Sequence, residues 1–203
     1  GLLEMIEILK VKREFLYLLL TLTQEKNVKV SRFPLIHLDE TVVAHTNLAE
    51  FNKFLQEKEN EALLDRMVIV RVPYALSYRD EARIYGKLVA GAPAFRDVHL
   101  DPHALPLAAV FAILTRLVRP EREGLDLTRK LRLYAGEAVE GFPETEATRL
   151  HHEAADEGLS GVSPRFVINA ISNAITRSDA RSLTSMELLL ALKDAIESDA
   201  RMD

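Results

Sequence analysis

Leu2, Leu3, Ile6 and Leu9, followed by Phe15, Leu16, Leu19 and Leu20, recur at the spacing of one helical face, with Lys10, Lys12, Arg13 and Glu14 at a polar junction between the two groups. This pattern predicts one or two helices over residues 2–25. Val28 to Ser31 and Leu35 to Leu38 alternate as strands do, and Arg32-Phe33-Pro34 between them predicts a hairpin whose proline keeps it off a central strand. Thr41 to His45 is short, β-rich and mostly apolar, as a strand buried on both faces of a parallel sheet should be, and it ends in Thr46 and Asn47. A helix follows and closes with Glu61-Ala62-Leu63-Leu64-Asp65-Arg66, after which Met67 to Val72 reads as a second buried strand.

Beyond Val72-Pro73 the pattern is helical throughout. Ser77 and Asp80 form a capping pair before a helix that ends at Gly91. Asp101-Pro102 supplies an N-cap and a proline at the first helical position of an Ala/Leu-rich helix that must stop before Pro120. Leu125 to Tyr134 is amphipathic, and Pro143 opens a polar helix to about Glu157. Ser163-Pro164 opens another helix, and Thr184 with Glu187 forms a capping box for the last. The expected fold is therefore mostly α, with a few strands confined to residues 1–73 and an all-helical region over 74–203.

Composition narrows the chemistry. With 48% hydrophobic and 28% charged residues among 203, the chain can bury a sizeable core. A net charge of -5 gives no general attraction for nucleic acid. The six basic residues between Arg116 and Arg132 are interrupted by Glu121, Glu123 and Asp126, so they read as a solvated helix face. The absence of cysteine excludes disulfides and thiolate zinc sites and agrees with a reducing, cytoplasmic setting. The longest apolar run, Phe15 to Leu20, is far below a membrane span. Gly1 in place of an initiator methionine predicts a fragment or a processed chain.

Three residues stand out. Asn47 places an amide at the C-terminal end of a strand, where open α/β sheets position ligand-contacting groups; the same spacing lets it cap the next helix with Glu50. Arg66 offers a permanently charged planar fork suited to phosphate, or alternatively a surface pair with Asp65 or Glu61, worth under about 1 kcal/mol. Arg165 lies in the first turn of a helix, a position the helix dipole disfavours for a cation unless an anion sits nearby; the alternative is an exposed arginine at little cost. The linker Gly158-Leu159-Ser160-Gly161 just before it would let that helix take a defined position or move as a unit. His99 and His103 are separated by Pro102, and the adjacent His151 and His152 point apart, so no metal site is expected. Ser160 and Ser163 have no evident base, and the aromatic residues form no stacking platform.

The order QEKNVKV, LIHLDETVVAHTN, NEALLDRM resembles the second half of an AAA+ ATPase core. The stretches GLLEMIEILK, FLYLLLTLTQE, HTNLAEFNKF, NEALLDRM and GVSPRFVINAISNA are more closely similar to the PrkA-type bacterial serine protein kinases, across nearly the whole chain. That resemblance implies the tail of an α/β AAA+ core over residues 1–73 and a helical lid over 74–203. It makes Asn47 the sensor 1 amide that positions the attacking water, Arg66 an arginine finger reaching a neighbouring subunit's γ-phosphate, and Arg165 sensor 2. It implies ATP and Mg²⁺, an oligomer of like subunits and an unknown protein substrate. The sequence holds no G-x-x-x-x-G-K-[ST], no acidic strand end for Mg²⁺, no glycine-rich kinase loop, no HRD and no DFG. Those ATPase parts are expected upstream, leaving this stretch inactive alone. Two other readings stay open: a part of a non-kinase remodelling or protease-associated AAA+ ATPase, and a noncatalytic helical interaction module.

Overall fold

A computed structural model describes residues 1–29, 32, 34–143, 145–178 and 182–198. The chain is mostly helical and divides into two compact units, Gly1–Val70 and Arg71–Asp203.

The first unit opens on a strand, β1 (Leu2–Ile6), where a helix was expected. Leu2, Leu3, Ile6 and Leu9 fit a helical face, but Leu3 and Met5 also alternate with Leu2, Glu4 and Ile6, and it is the alternation that is realised. Helix α1 (Arg13–Glu25) follows, then the short antiparallel pair β2 (Asn27–Val28) and β3 (Ile36–His37), in line with the expected hairpin. Strand β4 (Thr41–His45) runs parallel to β1, with Leu2 opposite Thr41 and Ile6 opposite His45. One face of this two-stranded sheet rests on Leu16, Leu19, Leu22, Phe54 and Leu63 through Leu3, Met5 and Val42. Its other face carries the exposed Leu2, Ile6 and Val43, so β4 is not buried on both sides as its composition suggested.

The helix after Asn47 comes in two pieces, α2 (Leu48–Gln56) and α3 (Glu61–Leu64). The break is held by Asn60, whose buried amide donates to the Phe54 carbonyl at 2.9 Å and so satisfies a terminal acceptor of α2. Met67 to Val72 forms no ladder, and Val68 is 92% exposed. A strand exists through its neighbours, and among the described residues none pairs with this stretch.

In the second unit, α4 (Tyr78–Gly91) is capped by Ser77, whose hydroxyl accepts from the Asp80 N–H. A two-residue strand β5 (His99–Leu100) leads to α5 (Ala104–Arg116), with Asp101 accepting from the His103 N–H at 2.8 Å in the turn between them. The helices α6 (Leu127–Tyr134), α7 (Glu146–Glu153) and α8 (Pro164–Ser178) follow, then β6 (Ser182–Leu183) and α9 (Ser185–Ser198). The capping box of α9 is reciprocal: Thr184 N–H donates to Glu187 at 2.8 Å and Glu187 N–H to the Thr184 hydroxyl. The parallel pair β5–β6 and a bridge between Val139 and Phe142 are the departures from an all-helical unit among the described residues. At two residues each, these strands are too short to show a period in the sequence. The core packs Tyr85 of α4 and the fully buried Ala104, Ala108, Ala109 and Ala112 of α5 against Val167 and Ile171 of α8 and Leu188 and Leu192 of α9. Alanine at that spacing lets helices approach closely.

Gly161 has a φ of +98°, and a Cβ there would lie 2.7 Å from the Thr115 carbonyl oxygen. Gly136 has a φ of +72° with open space around it. Gly136→Ala should therefore cost about 1 kcal/mol of unfolding free energy and Gly161→Ala about 3 kcal/mol, since the first meets backbone strain alone. Urea titration of the two variants checks the order; equal losses would show that the backbone around Thr115 yields.

Candidate functional site

Asn47 and Arg66 belong to the first unit and Arg165 to the second. Asn47 lies two residues past β4 in extended geometry, φ −89° and ψ 161°, and is the N-cap of α2. Its Oδ1 accepts from the Glu50 N–H at 2.8 Å, so the capping alternative is realised. An amide has a second half, and the two Nδ2 hydrogens have no partner among the described residues. Beside it the Thr46 hydroxyl is buried without a hydrogen bond.

Arg66 follows α3 in a turn closed by its own N–H on the Leu63 carbonyl. Its Nη1 donates to the Ala62 carbonyl at 2.5 Å. With the Gln24 amide turned to satisfy both groups, Nη2 and Nε donate to the Gln24 oxygen at 2.8 and 2.9 Å. The expected alternative, a pair with Asp65 or Glu61, is not formed; both partners are neutral and the guanidinium charge stays uncompensated. Gln24 was missed as a contributor by sequence reasoning. Its signal was there, in the TQE that ends α1, but nothing in one sequence joins residue 24 to residue 66.

Arg165 is the second residue of α8, whose N-terminus is capped by the Ser163 hydroxyl accepting from the Phe166 N–H at 3.2 Å. The side chain is exposed and makes no hydrogen bond or ion pair among the described residues. It thus stands at the positive end of a helix dipole with no anion among the described residues of this unit to offset it.

The basic run between Arg116 and Arg132 is a solvated face only in part: Arg119, Arg129 and Arg132 are exposed. Arg116 and Lys130 are buried, Arg116 against Glu81 and Lys130 against Glu157 at 2.5 Å. Glu157 also accepts from the Val118 N–H and the Tyr134 hydroxyl, each at 2.6 Å. Burial, and then Glu157, push the Tyr134 phenol well above its usual range. Arg122 pairs with Glu146 and Arg132 with Glu137. Charge spacing along a helix did not reveal the two buried pairs, because their acids come from α4 and from the loop after α7. Among the described residues no group of three or more His, Asp or Glu gathers to hold a metal ion, and no helix is long and apolar enough to cross a membrane.

Residues 1–124 match the PrkA AAA domain, and residues 128–203 match the PrkA serine protein kinase C-terminal domain. The chain is 46% identical over 197 residues to a Bacillus subtilis (strain 168) protein named ATP-dependent protease PrkA, covering 97% of this chain and 31% of that protein. It is 31% identical over 207 residues to the Escherichia coli (strain K12) serine/threonine kinase YeaG, covering 98% of this chain and 31% of that one. The chain therefore spans about a third of the length of these relatives. No solved structure matches it.

The cap at Asn47 separates two roles by substitution. Asn47→Ala should lower stability by about 1 kcal/mol, while Asn47→Asp, an equally good cap, should leave it unchanged. Thermal unfolding of the two variants is the check; an equal loss in both would mean that the Oδ1 bond is not what the residue contributes to the fold.

Proposed function

This chain belongs to the PrkA family of serine protein kinases, carrying parts of its AAA domain and of its C-terminal domain in order, and on that premise we propose that it is the sensor-and-lid portion of an ATP-driven serine protein kinase. In this reading residues 1–73 close an α/β ATPase core and residues 74–203 form a helical lid that runs past the end of the AAA match at residue 124 into the C-terminal domain match at 128–203. Asn47 is sensor 1: its Oδ1 is spent on the helix cap, which fixes the amide and leaves Nδ2 to donate to the γ-phosphate or the attacking water. Arg66 is the finger for a neighbouring subunit, and Arg165 meets the nucleotide's phosphates from the lid.

The observation that carries this reading is the state of Arg66. A guanidinium steadied by an amide and a carbonyl keeps its full charge and a preset orientation. A surface ion pair would spend both. Guanidinium and carboxamide donors suit phosphate oxygens, which ATP supplies. Mg²⁺ would come with the nucleotide, held by hard oxygen ligands that include the phosphates themselves. The 203 residues alone, which hold no phosphate-loop motif, should neither hydrolyse ATP nor phosphorylate protein; turnover above a buffer blank would refute the assignment.

In a full-length protein carrying this chain, Arg66→Ala should abolish hydrolysis while leaving the fold intact. A finger acting in trans contributes about 10³-fold or more in rate, or roughly 4 kcal/mol of transition-state stabilisation. Mixing that variant with one dead in its phosphate loop should restore partial activity, because some interfaces then combine an intact loop with an intact finger. No recovery in mixtures that demonstrably exchange subunits would reduce Arg66 to a surface charge. Asn47→Asp and Asn47→Ala should slow hydrolysis alike and leave ATP affinity nearly intact; an Asn47→Asp variant with wild-type turnover would remove the sensor role.

A second reading is favoured by the name of the B. subtilis relative: the same ATPase elements could drive proteolysis. Incubating the full-length protein with labelled ATP and a protein substrate separates the two, since phosphoserine in an intact substrate supports the kinase and ATP-dependent peptide release supports the protease.

A further inference from the structure

The linker Gly158 to Gly161 reads in the sequence as letting the next helix take a defined position or move as a unit, and in the structure the residue that follows it is tied from two sides. Val162, one residue before the cap of α8, donates its N–H to the Thr115 hydroxyl at 2.9 Å. Its carbonyl accepts from Arg116 Nε at 2.9 Å and Nη2 at 2.6 Å. The same guanidinium donates from Nη1 to the Ala75 carbonyl at 2.8 Å and from Nη2 to Glu81 Oε1 at 2.6 Å, and lies 4.8 Å over the Tyr74 ring. The side chains of Arg116 and Glu81 are both 0% exposed. One buried cation therefore joins three pieces of chain: the segment by which the chain enters the second unit, helix α4, and the root of α8. Packing alone does not need this, because well-packed apolar residues fill such a space with equal or better stability. What a fork of fixed N–H groups adds is position. Arg165 is three residues beyond Val162, on the first turn of a rigid helix, so a shift of Val162 moves the Arg165 guanidinium with it.

We propose that Arg116 is a positioning residue for Arg165: with Thr115 it sets the root of α8 against Tyr74 and Ala75, so that contact between Arg165 and a nucleoside triphosphate's phosphates depends on it. This rests on the phosphate-binding reading of Arg165 given above. A displacement of about 1 Å at such a root is enough to weaken an oriented contact substantially.

The test is a double-mutant cycle in the full-length protein, reading the dissociation constant for MgATP by displacement of a fluorescent analogue, with melting temperature as the record of folding. Arg165→Ala should weaken binding about tenfold. Arg116→Lys keeps the charge beside Glu81 but loses the fork; it should weaken binding several-fold in the wild-type background and by less than about twofold when Arg165 is already alanine. Thr115→Val should behave like Arg116→Lys, and Thr115→Ser, which restores the hydroxyl, should recover wild-type affinity. Losses that multiply independently in the double variant would show a general structural role and overturn the proposal, as would a Thr115→Ser variant no better than Thr115→Val. If Arg116→Lys does not fold, the Thr115 pair run through the same cycle decides. Unchanged affinity in Arg165→Ala would overturn the phosphate role of Arg165 itself, an outcome distinct from additivity, and the positioning role would fall with it.

Discussion

Taking a guanidinium fully out of water is unfavourable by several kcal/mol unless its donors find acceptors, and Arg116 meets that condition only where Glu81, Ala75 and Val162 converge on it. Each acceptor is contributed by a different stretch of the second unit, so the cation can be buried only when all are in place. The sequence of α5 prepares the ground. Four alanines on one face bring α4 close enough for Glu81 to reach across, and Arg116 occupies the last turn, where the helix dipole favours a cation. Tyr85, one turn beyond Glu81 on α4, is sealed in the same core, and burial with the adjacent carboxylate holds its phenol far above the usual range. Losing either member of the pair leaves the other charge stranded, which is why this contact, and not the apolar packing around it, fixes the arrangement.

The second buried pair works by the same logic at the other end of the loop. Glu157 takes Lys130, Tyr134 and the Val118 N–H, and five residues later Val162 takes Thr115 and Arg116. A glycine-containing loop is thus bracketed by two desolvated cations. Glycine here permits close approach to the Thr115 backbone, since a Cβ on Gly161 would lie 2.7 Å from the Thr115 carbonyl oxygen, rather than freedom to move.

Legibility followed the range of the interactions. Caps are local, so Ser77, Thr184 with Glu187, and Ser163 could all be read from spacing and are all realised. The identity of β1 depended on a partner some forty residues away, and Leu2, Leu3, Met5 and Ile6 satisfy either period until Thr41 to His45 is laid beside them. Met67 to Val72 failed for the converse reason: its composition is that of a buried strand, and no described strand pairs with it. Arg116 and Lys130 were misread because a charge in a helix looks solvated until its acid is found, and both acids are distant in sequence. Of the three candidate site residues, the residue types and their local settings were visible; the amide of Gln24 against Arg66 was not.

Those three residues share a physical character that the paired charges elsewhere lack. Arg116, Lys130, Arg122 and Arg132 have each been matched to a carboxylate, which fixes the fold and removes them from further chemistry. Asn47 is half committed, its acceptor to a helix and its donors to nothing described. Arg66 is oriented by neutral groups that leave its charge whole. Arg165 is delivered to the first turn of α8 by a capped and tethered root, and among the described residues no carboxylate meets it there. A fold gains little from amide donors without an acceptor, or from oriented cations without an anion, among the described residues. A phosphate arriving from outside the unit gains a great deal, because the orientation has been set before it binds and none of its interaction is lost to reorganisation.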